Sequence, residues 1–180
     1  EDLHIIIKET IRCREIVKGL LNFARETKHE KVKANLNDII DNALSILQNH
    51  MNFRSITIIS HLDTSLPLML LDVNQIRSVI NNLAENAAHA MPDGGILTVS
   101  TQYDNQNDIA ILKVQDTGCG IPEENITKIF DPFFTTKPAG KGTGLGLAVV
   151  FGIIRQHDGS IDVQSEVGKG TTFIITLPVQ

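Results

Sequence analysis

The stretch DVNQIRSVINNLAENAAHAM (72–91), followed at once by PDGG (92–95) and ILTVSTQY (96–103), decides the fold. Val79, Ile80, Leu83, Ala87, Ala90 and Met91 recur at helical spacing and predict a core-facing stripe. Gln75, Asn82, Glu85, Asn86 and His89 fall on a second, polar stripe. PDGG is a turn that stops the helix, and the alternation in ILTVSTQY is that of a strand. A helix feeding a strand through a tight turn predicts helix-on-sheet packing. Asn disfavours helix interiors because its amide competes for backbone hydrogen bonds. Two of them one turn apart, flanking an acid, suit a hard cation such as Mg²⁺, which takes few protein oxygens plus water and phosphate. By itself the stripe also fits a solvated polar face.

Outward from this helix, the chain keeps changing type. NLNDIIDNALSIL (35–47) reads as a helix capped by Asn35, and SITIISHL (55–62) as a strand. DIAILKVQD (108–116) is a strand, Pro122 to Phe130 a short helix, and 143–158 a helix beginning near its first glycine and capped by Gly159. SIDVQS (160–165) and TTFIITLP (171–178) form a closing hairpin around Gly168 and Gly170. Strands in hairpins as well as helix-linked units predict an α+β fold. The expected form is a two-layer α/β sandwich with a mixed, mostly antiparallel sheet and helices on one face.

Two further stretches could carry chemistry. In KVQDTGCG (113–120), Asp116 shares a sheet face with Ala110, Leu112 and Val114. A carboxylate on an apolar face needs donors, and an adenine amine is one. Gly118 and Gly120 would let a flat ring approach the backbone. An ordinary turn with a capping Asp is the competing reading. In IFDPFFTTKPAGKGTGLGL (129–147), Phe130, Phe133 and Phe134 anchor a run holding Lys137 and Lys141, and glycines at alternate positions lead into a helix. Backbone N–H groups and the helix dipole at Gly144 to Leu147 favour anionic oxygens. The spacing is neither a dinucleotide fingerprint nor a Walker loop, since Gly142, not Ser or Thr, follows Lys141. A mobile surface loop remains open as an alternative.

The 180 residues suit one ordinary domain with a helical appendage, and 42 % hydrophobic residues suffice for a core. A formal net charge of −5, with seven Phe, one Tyr and no Trp, gives neither a basic footprint nor a base-stacking platform. Nucleic acid is therefore not an expected partner, nor is direct membrane contact. Cys13 and Cys119 have no metal-ligand spacing and read as free thiols in a reducing, cytoplasmic compartment. Leu3, Thr10, Val17 and Ala24, with Ile6, Cys13 and Leu20, mark a heptad over 3–24, a long amphipathic helix with a seam for other helices. The charged stretch ETKHEKVK (26–33) reads as the linker behind it. The chain opens inside a helical pattern, so a longer parent, which could be membrane-anchored, is expected.

NLAENA (82–87), DTGCG (116–120), FDPFFTTK (130–137), GTGLGL (142–147) and GKGTTF (168–173) stand in an order and spacing that resemble the ATP-binding catalytic domain of two-component sensor histidine kinases. That domain has the Bergerat-type fold shared with gyrase-type ATPases, heat-shock chaperones and mismatch-repair ATPases. The likeness covers roughly residues 35–180. RCREIVKGLLNFAR (12–25) is similar to the second helix of the dimerisation and phosphoacceptor domain. The implied domains are 1–30, a remnant of that helical domain, and 31–180, the catalytic domain.

The resemblance implies ATP and Mg²⁺ as cofactors, with ADP also bound. Asn86 would ligate Mg²⁺, and Asn82 would stand where ATPase relatives carry a water-activating Glu, sparing ATP for transfer. His89 would contact phosphate, and Asp116 would accept from the adenine amine with Gly118, Gly120 and Ile121 beside the ring. Phe130 to Lys137 would anchor a mobile lid with Lys137 near the phosphates. Gly142, Thr143, Gly144, Leu145, Gly146 and Leu147 would cradle them, and Thr172 would help hold adenine. Implied partners are a phosphoacceptor helical bundle of the same or a partner subunit and a response regulator, in a homodimeric parent. The acceptor His should be followed closely by an acid and a Pro; His4, in DLHIIIKE, has neither in place. The chain is therefore expected to bind nucleotide without phosphorylating itself. Two alternatives are an ATP-hydrolysing clamp using Glu85 and a non-catalytic nucleotide-gated interaction module.

Overall fold

The computed structural model describes Thr10, residues 30–137 and residues 142–179. The helix expected over 3–24, Cys13, His4 and the Pro138–Lys141 part of the glycine run thus lie outside the described residues, Thr10 excepted. The elements in chain order are β1 (Val32–Ala34), α1 (Leu36–Gln48), β2 (Ile56–His61), β3 (Met69–Leu71), α2 (Val73–Ala90) and β4 (Gly95–Asp104). Then follow β5 (Ile109–Asp116), α3 (Glu123–Ile126), α4 (Gly146–Gln156), β6 (Ser160–Glu166) and β7 (Gly170–Pro178). β2, β4, β5, β7 and β6 form one sheet in that spatial order, parallel between β2 and β4 and antiparallel elsewhere. This is the α+β sandwich expected, with its mixed sheet and helices on one face. Among the described residues no helix is long and apolar enough to cross a membrane. Cys119 is a free, exposed thiol.

Local signals start the two long helices. The Asn35 side chain accepts from the Asn37 N–H at 2.9 Å and opens α1. Asp72 accepts from Asn74 and Gln75 N–H groups at 3.0 and 3.1 Å and opens α2. Both satisfy backbone donors that a helix start leaves without partners. α1 buries Leu36, Ile39, Ile40, Ala43, Leu44 and Leu47; α2 buries Ile76, Val79, Ile80, Leu83, Ala84, Ala87 and Ala88. They meet the sheet face made by Leu97, Val99, Leu112, Val114, Ile175 and Leu177. Each such side chain contributes about 1.5–3 kcal/mol on leaving water. The other sheet face carries the alternate residues, among them exposed Lys113 and Gln115.

Four local expectations need correction. Val32–Ala34, which begins within the expected linker 26–33, pairs antiparallel with Met69–Leu71 to make a second, two-stranded sheet. Strands of three residues are too short to show a period, and their pairing with each other is what defines them. The helix expected from Pro122 to Phe130 is helical only over Glu123–Ile126 and continues as turns. α4 starts at Gly146, not near Gly144, because Gly144 has φ +68° and its carbonyl accepts from the Phe133 N–H at 2.9 Å. At the other end Asp158, not Gly159, takes the left-handed turn at φ +58°, while the Gly159 N–H donates to Ile154 O at 3.0 Å.

α4 runs antiparallel to α2, and its C-terminal end is fastened to the start of α2. His157, 4 % exposed, accepts from the Asp72 N–H through Nε2 at 3.0 Å. Nδ1 must then carry the proton, and it lies 2.9 Å from the Ile153 carbonyl that receives it. Beside it the Gln75 amide donates to Gln156 at 3.1 Å.

Candidate functional site

α2 lays out the site. Asn82, Asn86 and Ala90 are each one turn apart, so they form a single row about 12 Å long. At the Asn82 end the row meets α4. A Cβ at Gly146 would lie 2.8 Å from Asn82 Oδ1, closer than such atoms approach, so only glycine lets the α4 N-terminus rest on that amide. The amide cannot easily yield, since its Nδ2 donates to Ser78 O at 2.8 Å and lies 3.3 Å from Ser78 Oγ.

At Asn86 the row meets the FFTTK loop. Lys137 Nζ donates to Asn86 Oδ1 at 3.1 Å, and both residues are half-buried. Burial pushes the Lys137 ammonium below its ordinary value, while the Glu85 carboxylate pulls it back up. The loop is held by Phe133 on Gly144, by the Lys137 N–H on Thr135 Oγ1 at 3.1 Å, and by Phe130 against Phe151 at 5.6 Å between ring centres. Gly142 lies against it, and a Cβ there would be 3.0 Å from Lys137 Cδ.

At Ala90 the row meets the end of β5. Gly118 packs so closely that a Cβ would lie 2.6 Å from Ala90 Cβ and 2.8 Å from Asp116 Oδ1. The Cys119 N–H donates to Ala90 O at 3.0 Å. Asp116 is 5 % exposed and accepts from the Gly118 N–H at 2.8 Å. Burial pushes its carboxyl above the usual range, offset in part by the N–H groups of Gly118 and Thr171.

The sequence-derived residues thus fall into two groups on one helix row. Asn82, Asn86, Lys137, Gly142, Gly144 and Gly146 meet at one end; Asp116 and Gly118 meet at the other. Thr143 accepts from the Leu145 N–H at 3.4 Å, Leu145 is buried at the start of α4, and Leu147 is half-buried beside it. Four residues stand further out. His89 is exposed and its Nδ1 bonds the Glu85 carbonyl at 2.6 Å. Gly120 lies against Glu166 and Val167 of the β6–β7 hairpin, and the Ile121 N–H donates to Ser165 Oγ at 2.8 Å. Thr172 pairs with Gln115 and Gln164 and so projects from the sheet face opposite Asp116.

The residue on Asp116's own side is Thr171, 4 % exposed, directly across β5 and bonded to Ser165 Oγ at 2.9 Å. Sequence reading passed over it, although strand alternation from Phe173 was enough to find it. Among the described residues no three His, Cys, Asp or Glu side chains converge into a metal cluster. The Asn86 amide oxygen is a hard donor of the kind Mg²⁺ takes beside water and phosphate oxygens.

Comparison with known proteins places this fold in a family. The family described as histidine kinase-, DNA gyrase B-, and HSP90-like ATPase matches residues 71–180. Sensor kinase CckA of Brucella abortus (strain 2308) is 39 % identical over 190 residues, which cover 98 % of this chain and 20 % of CckA. Sensor histidine kinase ZraS of Salmonella typhi is 38 % identical over 175 residues, 97 % of this chain and 37 % of ZraS. The chain therefore spans about a fifth to two fifths of the length of these curated relatives. The catalytic domain of histidine kinase ThkA superposes with a TM-score of 0.73 at 30 % identity, covering 83 % of this chain and 96 % of that one. ThkA in complex with response regulator protein TrrA gives 0.79 at 29 % identity, over 98 % and 50 % of the two chains. With that family's model matching residues 71–180, more than half of its length, the chain belongs to the family of histidine kinase-, DNA gyrase B-, and HSP90-like ATPases.

Proposed function

We propose that this chain is the ATP-binding catalytic module of a sensor histidine kinase. It would transfer the γ-phosphate of ATP to a histidine on a helical bundle, for relay to a response regulator. The observation that carries the reading is the row on α2, with a buried carboxylate and a Cβ-free approach at one end and two amides, a lysine and a helix N-terminus at the other. That order matches the order of base and phosphates in one extended nucleotide. The names of the two relatives given above, a sensor kinase and a sensor histidine kinase, support the same choice.

In this reading Asp116 accepts from the adenine amine, with Gly118, Gly120 and Ile121 beside the ring. Thr171 is added to the adenine end, in place of Thr172. Asn86 would hold Mg²⁺ through Oδ1, and the metal would supply charge neutralisation to the phosphates. Gly142 to Leu147 present backbone N–H groups to phosphate oxygens at the start of α4. Lys137 adds a cation there, and His89 would contact phosphate. Asn82, a neutral amide already bonded to Ser78, cannot take a proton from water, so transfer to protein is favoured over hydrolysis.

Residues 1–30 are read as a remnant of the dimerisation domain and 31–180 as the catalytic domain. The parent is read as a cytoplasmic kinase module in a homodimer, whatever membrane anchor it carries elsewhere. Labelled ATP and Mg²⁺ with this chain should leave no label on His4, yet label a separately supplied phosphoacceptor bundle of the parent. Rapid phosphate release without transfer, abolished by Glu85→Gln, would replace the kinase with a hydrolytic clamp. Nucleotide binding with neither transfer nor release would leave a nucleotide-gated interaction module.

A further inference from the structure

We infer that Lys137 is an internal competitor for the divalent cation at Asn86, so that the site refuses a bare metal ion and accepts one only together with phosphate. This rests on the reading of Asn86 as the metal ligand. Lys137 Nζ donates to Asn86 Oδ1 at 3.1 Å, and that oxygen is the one hard donor Asn86 can offer a cation. The lysine does not reach it by chance. Its backbone N–H is tied to Thr135 Oγ1, its aliphatic stem lies against Gly142, and the loop before it is held through Phe133 to Gly144. The ammonium is half-buried, so it is screened less than a surface lysine.

The two cations exclude each other. Magnesium sits about 2.1 Å from a ligand oxygen, so metal and ammonium on the same amide would be no more than about 5 Å apart. Two positive ions at that distance in a half-buried site repel strongly, and the oxygen they would share is neutral. Seating the metal therefore requires the ammonium to leave Asn86. The nearby carboxylate of Glu85 and the phosphate oxygens that arrive with the metal are the partners able to take it. A metal–nucleotide complex brings those oxygens with it; a free ion does not. The lysine thus couples cation loading to phosphate loading and turns from competitor to phosphate ligand in one movement.

The test is Mn²⁺ binding followed by electron paramagnetic resonance, with and without ADP. The wild-type chain should bind Mn²⁺ at least tenfold more weakly without ADP than Lys137→Met does. Lys137→Gln, a second neutral variant, should behave as Lys137→Met. The gain should vanish in Lys137→Met combined with Asn86→Ala. Independently, the Asn86 side-chain amide resonance should shift in Lys137→Met, because its oxygen loses a charged donor. Equal Mn²⁺ affinity in wild type and both neutral variants, with Mn²⁺–ADP binding still lost in Asn86→Ala, would overturn the competition alone. Mn²⁺–ADP binding unchanged in Asn86→Ala would remove the metal assignment and the competition with it.

Discussion

Replacing Asp116 by Asn tests the adenine end of the site with little change of shape. Asn can keep the bond that Asp116 Oδ1 accepts from the Gly118 N–H at 2.8 Å. Its NH₂ group then points where the adenine amine must come, so a donor faces a donor. Losing a hydrogen bond to a charged acceptor costs about 1.5–3 kcal/mol, and leaving a buried donor unpaired costs about 1 kcal/mol more. A total of about 3 kcal/mol corresponds to a roughly 150-fold weaker dissociation constant. Titration calorimetry with ATP and GTP should show that loss for ATP and a collapse of the preference for ATP. The pH dependence adds a second readout. Burial raises the Asp116 carboxyl above its ordinary value. A carboxyl raised on folding stabilises the fold below its unfolded pKa, and that contribution is lost as pH rises through the folded value. Asp116→Asn removes this dependence, so without nucleotide its melting temperature should gain on wild type as pH rises from the carboxylate range to neutrality. ATP affinity of the wild type, which needs the carboxylate, should fall as pH drops through the raised pKa; the variant should lack that limb. ATP affinity within threefold of wild type, at an unchanged ATP-to-GTP ratio, would refute the assignment.

Other changes test the frame around the site. His157→Ala leaves the Asp72 N–H without its acceptor and opens a gap between α2 and α4; a loss of about 2–3 kcal/mol should lower the melting temperature by roughly 5–10 °C. Gly146→Ala gains up to about 1 kcal/mol of helix propensity but must displace the Asn82 amide, whose bond to Ser78 is worth about 1 kcal/mol. Stability should therefore hardly move, whereas in an Asn82→Ala background the same change should stabilise, and a double-mutant cycle that proves additive would contradict the contact. Thr171→Val should weaken ATP binding about fivefold, near 1 kcal/mol, and Thr172→Val less than twofold; the reverse ranking in calorimetry would return Thr172 to the site.

Much of this was legible in the residues because it depends on local physics. Asn35 and Asp72 announce helix starts with their own side chains, and the apolar stripes of α1 and α2 repeat over three or more turns. The long strands β4, β5 and β7 alternate clearly enough to be read, and so does the side of the sheet on which Asp116 lies. The motif order then identified the family. The misreadings fall where structure is short or set from a distance. β1 and β3, three residues each, exist because each pairs with the other. α4 was placed two residues early because the Gly144 conformation is decided by Phe133, eleven positions away.

Sequence by itself determined the repertoire: which helix carries the amides, which strand ends in the carboxylate, and which run of glycines can lie against other atoms. Periodicity and capping act over a few residues, so they survive in the unfolded pattern. Only the tertiary structure decided how these parts meet. Asn86 and Lys137 are 51 positions apart, and Asp72 and His157 are 85 apart. No local propensity links them; the contact is made because the helices bury their apolar stripes on one sheet face. That burial seats Asn82 beneath Gly146, turns Thr171 rather than Thr172 toward Asp116, and brings a lysine onto the amide assigned to the metal.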